Sequence, residues 1–188
     1  ESKWHYLCIV MDLFSRKIIG WHLSSYHNVE LTIAAFKKAY SRRNISYGLM
    51  FHSDRGSEYT AFTFRRLLDS CNVVQSFSKK GYPFDNACCE SFFKHLKKNR
   101  VNRKKYHSAE ELRLDLFDYI ENFYNNKLPH GAIGYMTPNE KEAIYFSKIY
   151  SFLFIFVSKL LTVVHSSLSF SYHLVSQHLQ VLPKHHLT

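Results

Sequence analysis

Two short apolar runs rich in β-formers stand three residues apart at the front of this sequence: WHYLCIVMDLF at residues 4–14 and IIGWHL at 18–23. Runs of that length separated only by Ser15-Arg16-Lys17 have one economical solution, a two-stranded hairpin. Beyond residue 28 the period changes. Val29, Ile33, Phe36 and Tyr40 recur at helical spacing, with Lys37, Lys38, Arg42 and Arg43 on the other side and Asn28 placed to cap a helix through Ala39. Residues 47–51 then read as a buried strand that stops at His52-Ser53-Asp54, and Thr60 or Thr63 opens a helix to about Cys71. A short strand covers 73–77, and Gly81 and Pro83 mark residues 78–83 as a loop. From Asp85 or Asn86 a helix runs to about Lys98, and Ser108 with Glu111 forms a capping box for a last helix through Leu112, Leu116, Tyr119 and Phe123. Strands alternating with helices predict an α/β fold with helices packed on a sheet.

Charge divides the chain. All 15 acidic residues lie at or before Glu142, so residues 1–142 carry +7, while residues 143–188 carry three Lys, no acid and five of the twelve His. We therefore expect a domain over 1–142 and an unrelated tail over 143–188, the product of readthrough or a frameshift. The apolar run from Ile149 to Val164 is interrupted by Lys159 and two Ser and is too short to argue for a membrane span, so no membrane partner is expected. Apolar residues make up 46% of the chain, which excludes an intrinsically disordered polymer. A net charge of +10 points to a polyanionic partner. The four Cys form no C-x-x-C pair, so neither a zinc ribbon nor a disulfide framework is signalled and a reducing interior is the default. Cys88-Cys89 read as small core fillers.

Two carboxylates invite chemistry. Asp54 stands where an apolar strand ends, beside a Gly, and Glu90 stands in the first turns of a helix, with 35 residues between them. Acids at strand ends and helix starts of one sheet edge can converge on a hard divalent cation, and paired ions of that kind drive in-line phosphoryl displacement. The same spacing also fits a helix cap and a solvated acid. His52 either positions a metal ligand or DNA phosphate, or packs at the strand end. Lys79, Lys80, Lys97, Lys98 and Arg100 suit salt-sensitive, sequence-blind phosphate contacts.

The motifs go further. His52-Ser53-Asp54-Arg55-Gly56-Ser57-Glu58-Tyr59, Ser76-Phe77-Ser78-Lys79-Lys80-Gly81, and Asp85-Asn86-Ala87 ahead of Glu90-Ser91-Phe92-Phe93 and Lys97 resemble the second and third catalytic blocks of bacterial insertion-sequence transposases. These belong to the DDE transposase and retroviral-integrase superfamily. Asp12-Leu13-Phe14-Ser15-Arg16, Tyr124-Asn125-Asn126, Pro129-His130 and Thr137-Pro138 are similar to further blocks, so that the resemblance covers roughly residues 3–142. It implies an RNase H-like mixed sheet with helices on both faces. It also implies Mg2+ or Mn2+ held by Asp54 and Glu90, DNA contact by Lys97, strand cleavage followed by strand transfer, and a homo-oligomer acting on element ends and target DNA. The family's first Asp would lie on a strand preceding Glu1, so the expectation is a catalytic-core fragment lacking its first strand and inactive by itself. The alternative is a non-catalytic DNA-binding or subunit-sequestering remnant. Asp12 either anchors the hairpin turn or stands in for the missing acid. Leu128 stands where the family usually has Arg, and Glu58 where it usually has Gln. The resemblance places the protein in the bacterial cytoplasm, associated with the nucleoid.

Overall fold

A computed structural model of the chain describes residues 4–43, 48–79 and 87–164, with side chains described up to residue 152. The expected hairpin is present. Strand β1 (Tyr6–Met11) pairs antiparallel with β2 (Ile18–Ser24), Ile9 opposite Trp21 and Val10 opposite Gly20. Asp12 sets its turn: one carboxylate oxygen accepts from the N–H groups of Phe14 (2.8 Å) and Ser15 (3.1 Å), and its carbonyl accepts from the N–H of Arg16 (2.7 Å). An Asx turn of this kind satisfies backbone donors that a tight loop would otherwise leave to water. Its other oxygen pairs with Arg43 at 3.2 Å. Both oxygens of Asp12 are thus engaged in the turn and its neighbour.

Helix α1 (Val29–Ser41) starts as expected at Asn28, whose side chain accepts from the N–H of Leu31 at 3.3 Å. The next strand, β3 (Met50–Ser53), lies later than the apolar residues suggest and includes His52 and Ser53. The helix after it begins earlier than expected. It comprises a single turn, α2 (Ser57–Thr60), and after a break at Ala61 continues as α3 (Phe62–Ser70). Strand β4 (Val74–Phe77) pairs parallel with β3, His52 opposite Ser76. Helix α4 (Ala87–Asn99) carries Glu90; the loop and cap expected at 80–86 lie outside the described residues. Helix α5 (Ala109–Phe117) is capped by Ser108, which accepts from the N–H of Glu111 at 3.0 Å, and it widens into a π-helical stretch, Asp118–Tyr124. Finally α6 (Pro138–Val164) opens with a capping box in which Thr137 and Glu140 each accept the other's backbone N–H, with Pro138 at its first position. The helix runs through residue 142 without a break, so the change in composition there has no counterpart in the backbone. Among the described residues no helix is long and apolar enough to cross a membrane.

Antiparallel and parallel pairing are both present, as a mixed sheet requires, but they are divided between two two-stranded sheets, β1–β2 and β3–β4. Helix α1 joins them. Its Leu31 and Ala35 pack with Cys8 and Val10 on one face of the hairpin, and its Phe36 packs with Phe51, Phe64, Leu68 and Val73 around the second sheet. The opposite face of the hairpin, with Leu7, Ile9, Met11 and Trp21, packs on Phe92 and Leu96 of α4 and on Leu116, Tyr119, Ile120 and Tyr124. Strand β1 is therefore covered on both sides by helices, which is why its sequence is apolar almost without alternation. Asn125, fully enclosed, holds the hairpin to the π-helical segment: its amide accepts from the Ile18 N–H (3.0 Å) and donates to the Ile18 carbonyl (3.1 Å).

Glu142, at the start of α6, ties that helix to the hairpin turn. It accepts from Ser15 Oγ at 3.0 Å and Lys17 Nζ at 2.9 Å, and pairs with Arg43. Burial alone would raise its pKa, yet the hydrogen bonds and charges of Arg43 and Lys17 outweigh burial and hold it below the ordinary 4.5. A carboxylate with a depressed folded pKa contributes stability above its unfolded value and loses it as pH falls through the folded one. Glu142→Gln is accordingly expected to cost about 2 kcal/mol at pH 7. The gap between parent and variant should narrow steadily once pH drops below 4.5, as urea midpoints at neutral pH and near pH ~3 would show.

Candidate functional site

Asp54 comes directly after β3. Its Oδ1 accepts the N–H of Gly56 at 2.9 Å, a local turn that ends the strand and turns the chain into α2, and the residue is exposed. Glu90 lies in the first turn of α4, where the helix dipole favours a negative charge. Because Phe92 and Leu96 bury the inner side of α4, Glu90 stands on its outer side together with Lys94, Lys97 and Lys98. Glu90, Ser91, Lys94, His95 and Lys98 line a shallow open depression along the helix.

One residue of β1 relates the two acids. The Cys8 thiol hydrogen-bonds with Tyr59, whose hydroxyl feels the charge of Asp54, and also influences Cys89, which feels the charge of its neighbour Glu90. Cys8 thus lies near a neighbour of each acid, Tyr59 for Asp54 and Cys89 for Glu90. Burial pushes the Cys8 thiol up to about 11, against smaller opposing effects of hydrogen bonds to Tyr59 and Thr32. Burial and the adjacent Cys88 do the same for Cys89, also to about 11. Thiols held protonated in this way are neither nucleophiles nor ready metal ligands, in keeping with a packing role.

The basic residues separate into two kinds. Lys97 and Lys98 are exposed at the end of α4. Lys79 is exposed just past β4, and Lys80 lies outside the described residues. Arg100 is engaged internally: its Nε lies 3.0 Å from Asp115 Oδ1, and its outer nitrogen pairs with Asp118. Burial works against a charge on Asp115, but hydrogen bonds from Lys104 and Tyr106 and the charge of Arg100 hold its pKa below the ordinary range. Lys94 and His95 escape the sequence reading, although their spacing from Glu90 along one helix face is a signal that could have found them.

Asp54 and Glu90 offer hard oxygen donors, the chemistry that Mg2+ and Mn2+ take, and among the described residues Glu90 makes no hydrogen bond or ion pair. Also among the described residues, no group of three or more His, Cys, Asp or Glu side chains is arranged to hold a metal ion. In kind, two carboxylates suit such a cation, which takes the rest of its shell from water and phosphate oxygens.

Comparison with known proteins gives a consistent relationship. The family described as "Integrase core domain" is matched over residues 1–83, and a second family of the same description over residues 72–138. A Lactococcus lactis subsp. lactis protein named "ATP-dependent protease" is 47% identical over 113 residues, covering 60% of this chain and 36% of that protein. The transposase for insertion sequence element IS904 of Lactococcus lactis subsp. lactis (strain IL1403) is 37% identical over 137 residues, 73% of this chain and 54% of the relative. The chain thus spans about half or less of the length of these curated relatives. Among solved structures, the catalytic core domain of BIV integrase matches with a TM-score of 0.53 at 18% identity, covering 77% of this chain and 88% of that one. That level of identity speaks for the fold, an RNase H-like one.

Proposed function

Because this chain belongs to the integrase core domain family, among the insertion-sequence transposases, we propose that it serves divalent-metal-dependent cleavage and joining of DNA strands. The reading is supported by the position of Asp54 at the end of β3 and of Glu90 in the first turn of α4, with Lys94, Lys97 and Lys98 exposed on the same side of that helix as Glu90. The two carboxylates would hold Mg2+ or Mn2+. When bound, such an ion supplies Lewis acidity at a phosphodiester and activates water or a 3′-hydroxyl. Lys94, Lys97 and Lys98 draw the DNA backbone along α4 by charge, which fixes position without reading sequence. Lys79 stands at the mouth of the loop that joins β4 to α4. Element ends and target DNA are the proposed partners, a homo-oligomer the proposed assembly, and the nucleoid the place of action. The protease name of the 47% identical relative describes a protein of which this chain matches 36%, and it is not carried over.

A second reading is DNA binding or subunit sequestration without catalysis, which the exposed lysines of α4 would serve by charge alone. One experiment tests the primary reading directly. Mn2+ added to the chain together with short duplex DNA is expected to broaden the amide resonances around Asp54 and around Glu90 at the same concentrations. Asp54→Asn should remove both effects. Broadening of one segment alone, or of neither, overturns the metal-site reading, and DNA binding that persists without it supports the second.

A further inference from the structure

We propose that His52 is a positioning residue for Asp54: it wires β3 to β4 through a directed chain of side-chain hydrogen bonds and so fixes where that carboxylate is presented. The inference rests on the reading of Asp54 and Glu90 as a carboxylate metal site. His52 stands two residues before Asp54, and its Cα partner across the parallel pair is Ser76. The ring Nδ1 lies 3.1 Å from Ser76 Oγ and the ring Nε2 lies 3.1 Å from Ser78 Oγ. Ser78 in turn is joined twice to the Ser53 carbonyl, by its N–H at 2.9 Å and its hydroxyl at 3.4 Å.

Donor and acceptor counting sets the direction of the chain. A hydroxyl has one proton; with that of Ser78 given to the Ser53 carbonyl at 3.4 Å, Ser78 Oγ is left to accept from the Nε2–H tautomer of His52, the assignment the proposal adopts. Nδ1 is then the bare nitrogen and accepts the hydroxyl of Ser76. The chain reads Ser76 to His52 to Ser78 to the carbonyl of Ser53, whose hydroxyl donates to the Asp54 carbonyl at 2.9 Å. The chain ends on the carbonyls of Ser53 and Asp54, the backbone from which the Asp54 side chain is presented.

A four-residue parallel pair is weak by itself, because parallel ladders hold less well per residue and isolated pairs are marginal. Ser78 is also where the chain leaves β4 on its way to α4 and Glu90. His52 therefore clamps the carrier of one acid to the strand that leads to the other. A ring that merely filled space would serve equally well as Phe, whereas Gln offers an acceptor and a donor in the manner of the imidazole.

The test is Mn2+ titration of the full chain, read from relaxation of resonances next to Asp54, with thermal melting in parallel. Removing a hydrogen-bond partner that orients a metal ligand typically weakens affinity about 10- to 100-fold, and that is the loss expected for His52→Phe. His52→Gln should recover most of it while melting within a few degrees of His52→Phe. Ser78→Ala, which removes the hydroxyl shared by His52 and the Ser53 carbonyl and keeps the Ser78 N–H bond to that carbonyl, should weaken binding in the same direction and keeps the proposal open to refutation if His52→Phe does not fold. Parent-like affinity in His52→Phe or in Ser78→Ala overturns the inference while leaving the carboxylate site standing, as does equal weakening in His52→Phe and His52→Gln. A parent chain that binds no Mn2+ beside Asp54 overturns both.

Discussion

Gly20→Ala is expected to lower the stability of this protein by about 3 kcal/mol, the upper end of what overpacking ordinarily costs, and Gly20→Val to abolish cooperative unfolding altogether. A Cβ at Gly20 would lie 2.5 Å from the Ala35 carbonyl oxygen, 2.6 Å from the Ala39 nitrogen and 2.7 Å from the Ala39 Cβ. Two of those three atoms belong to the backbone of α1, so no rotamer change relieves the clash; the helix itself must lift. That helix packs on both sheets at once, and displacing it disturbs Leu31, Ala35 and Phe36 together. A small domain has only about 5–15 kcal/mol of stability in total, which is why the larger valine is expected to exceed what the fold tolerates. Urea titration reads the effect as a midpoint shift at constant slope. Ala39→Gly should recover part of the loss in the Gly20→Ala background, since it removes one of the three contacts at a helix-propensity cost of about 1 kcal/mol. A Gly20→Ala midpoint equal to that of the parent would mean that α1 does not sit on β2 in this way.

Glu90→Gln is expected to reduce metal-dependent strand joining by at least about a thousandfold, equivalent to about 4 kcal/mol of transition-state stabilisation. The assay would use this chain joined to the upstream half of the IS904 transposase relative. Gln keeps the shape and hydrogen-bonding reach of the side chain and removes only its charge, so the variant isolates the electrostatic hold on the cation. Helix α4 should be unaffected, because Glu90 is exposed and its inward neighbours Phe92 and Leu96 are unchanged. Glu110→Gln, which loses an exposed pair with Arg113 on α5, is the matched control and should retain parental joining. Activity retained in Glu90→Gln would remove this carboxylate from the chemistry.

Structure is legible in this sequence wherever its cause is local. The hairpin, the Asn28 cap and the Ser108 capping box each depend on residues within a few positions of one another, and each stands where those residues place it. Asp12 as a turn anchor comes from the same short-range chemistry, though the amides it takes are those of Phe14 and Ser15. The capping box at Thr137 and Glu140 is equally readable, with Pro138 to mark it. Features that depend on distant partners are not readable in this way. The ion pairs of Arg100 lie 15 and 18 residues away on α5 and just beyond it, and nothing near Arg100 announces them. Strand β3 is set by pairing with β4 rather than by its own apolar residues, so its bounds lie beyond the apolar stretch that suggests it. The placement of Asp54 and Glu90 at strand and helix ends is readable from punctuation; that Cys8 lies beside Tyr59 and Cys89, a neighbour of each acid, requires the fold.

Among the described residues the two sheets share no ladder: side chains of α1 pack on both, and Cys8 of β1 meets Tyr59 of α2. A continuous ladder fixes the spacing of what its strands carry to within the stiffness of its amide bonds. Here Asp54 follows a strand of one sheet while α4, with Glu90, is seated against the hairpin, and Leu31, Ala35 and Phe36 of α1 pack between the two sheets. A single methylene added or removed among those three residues, far from any charge, would shift one sheet against the other.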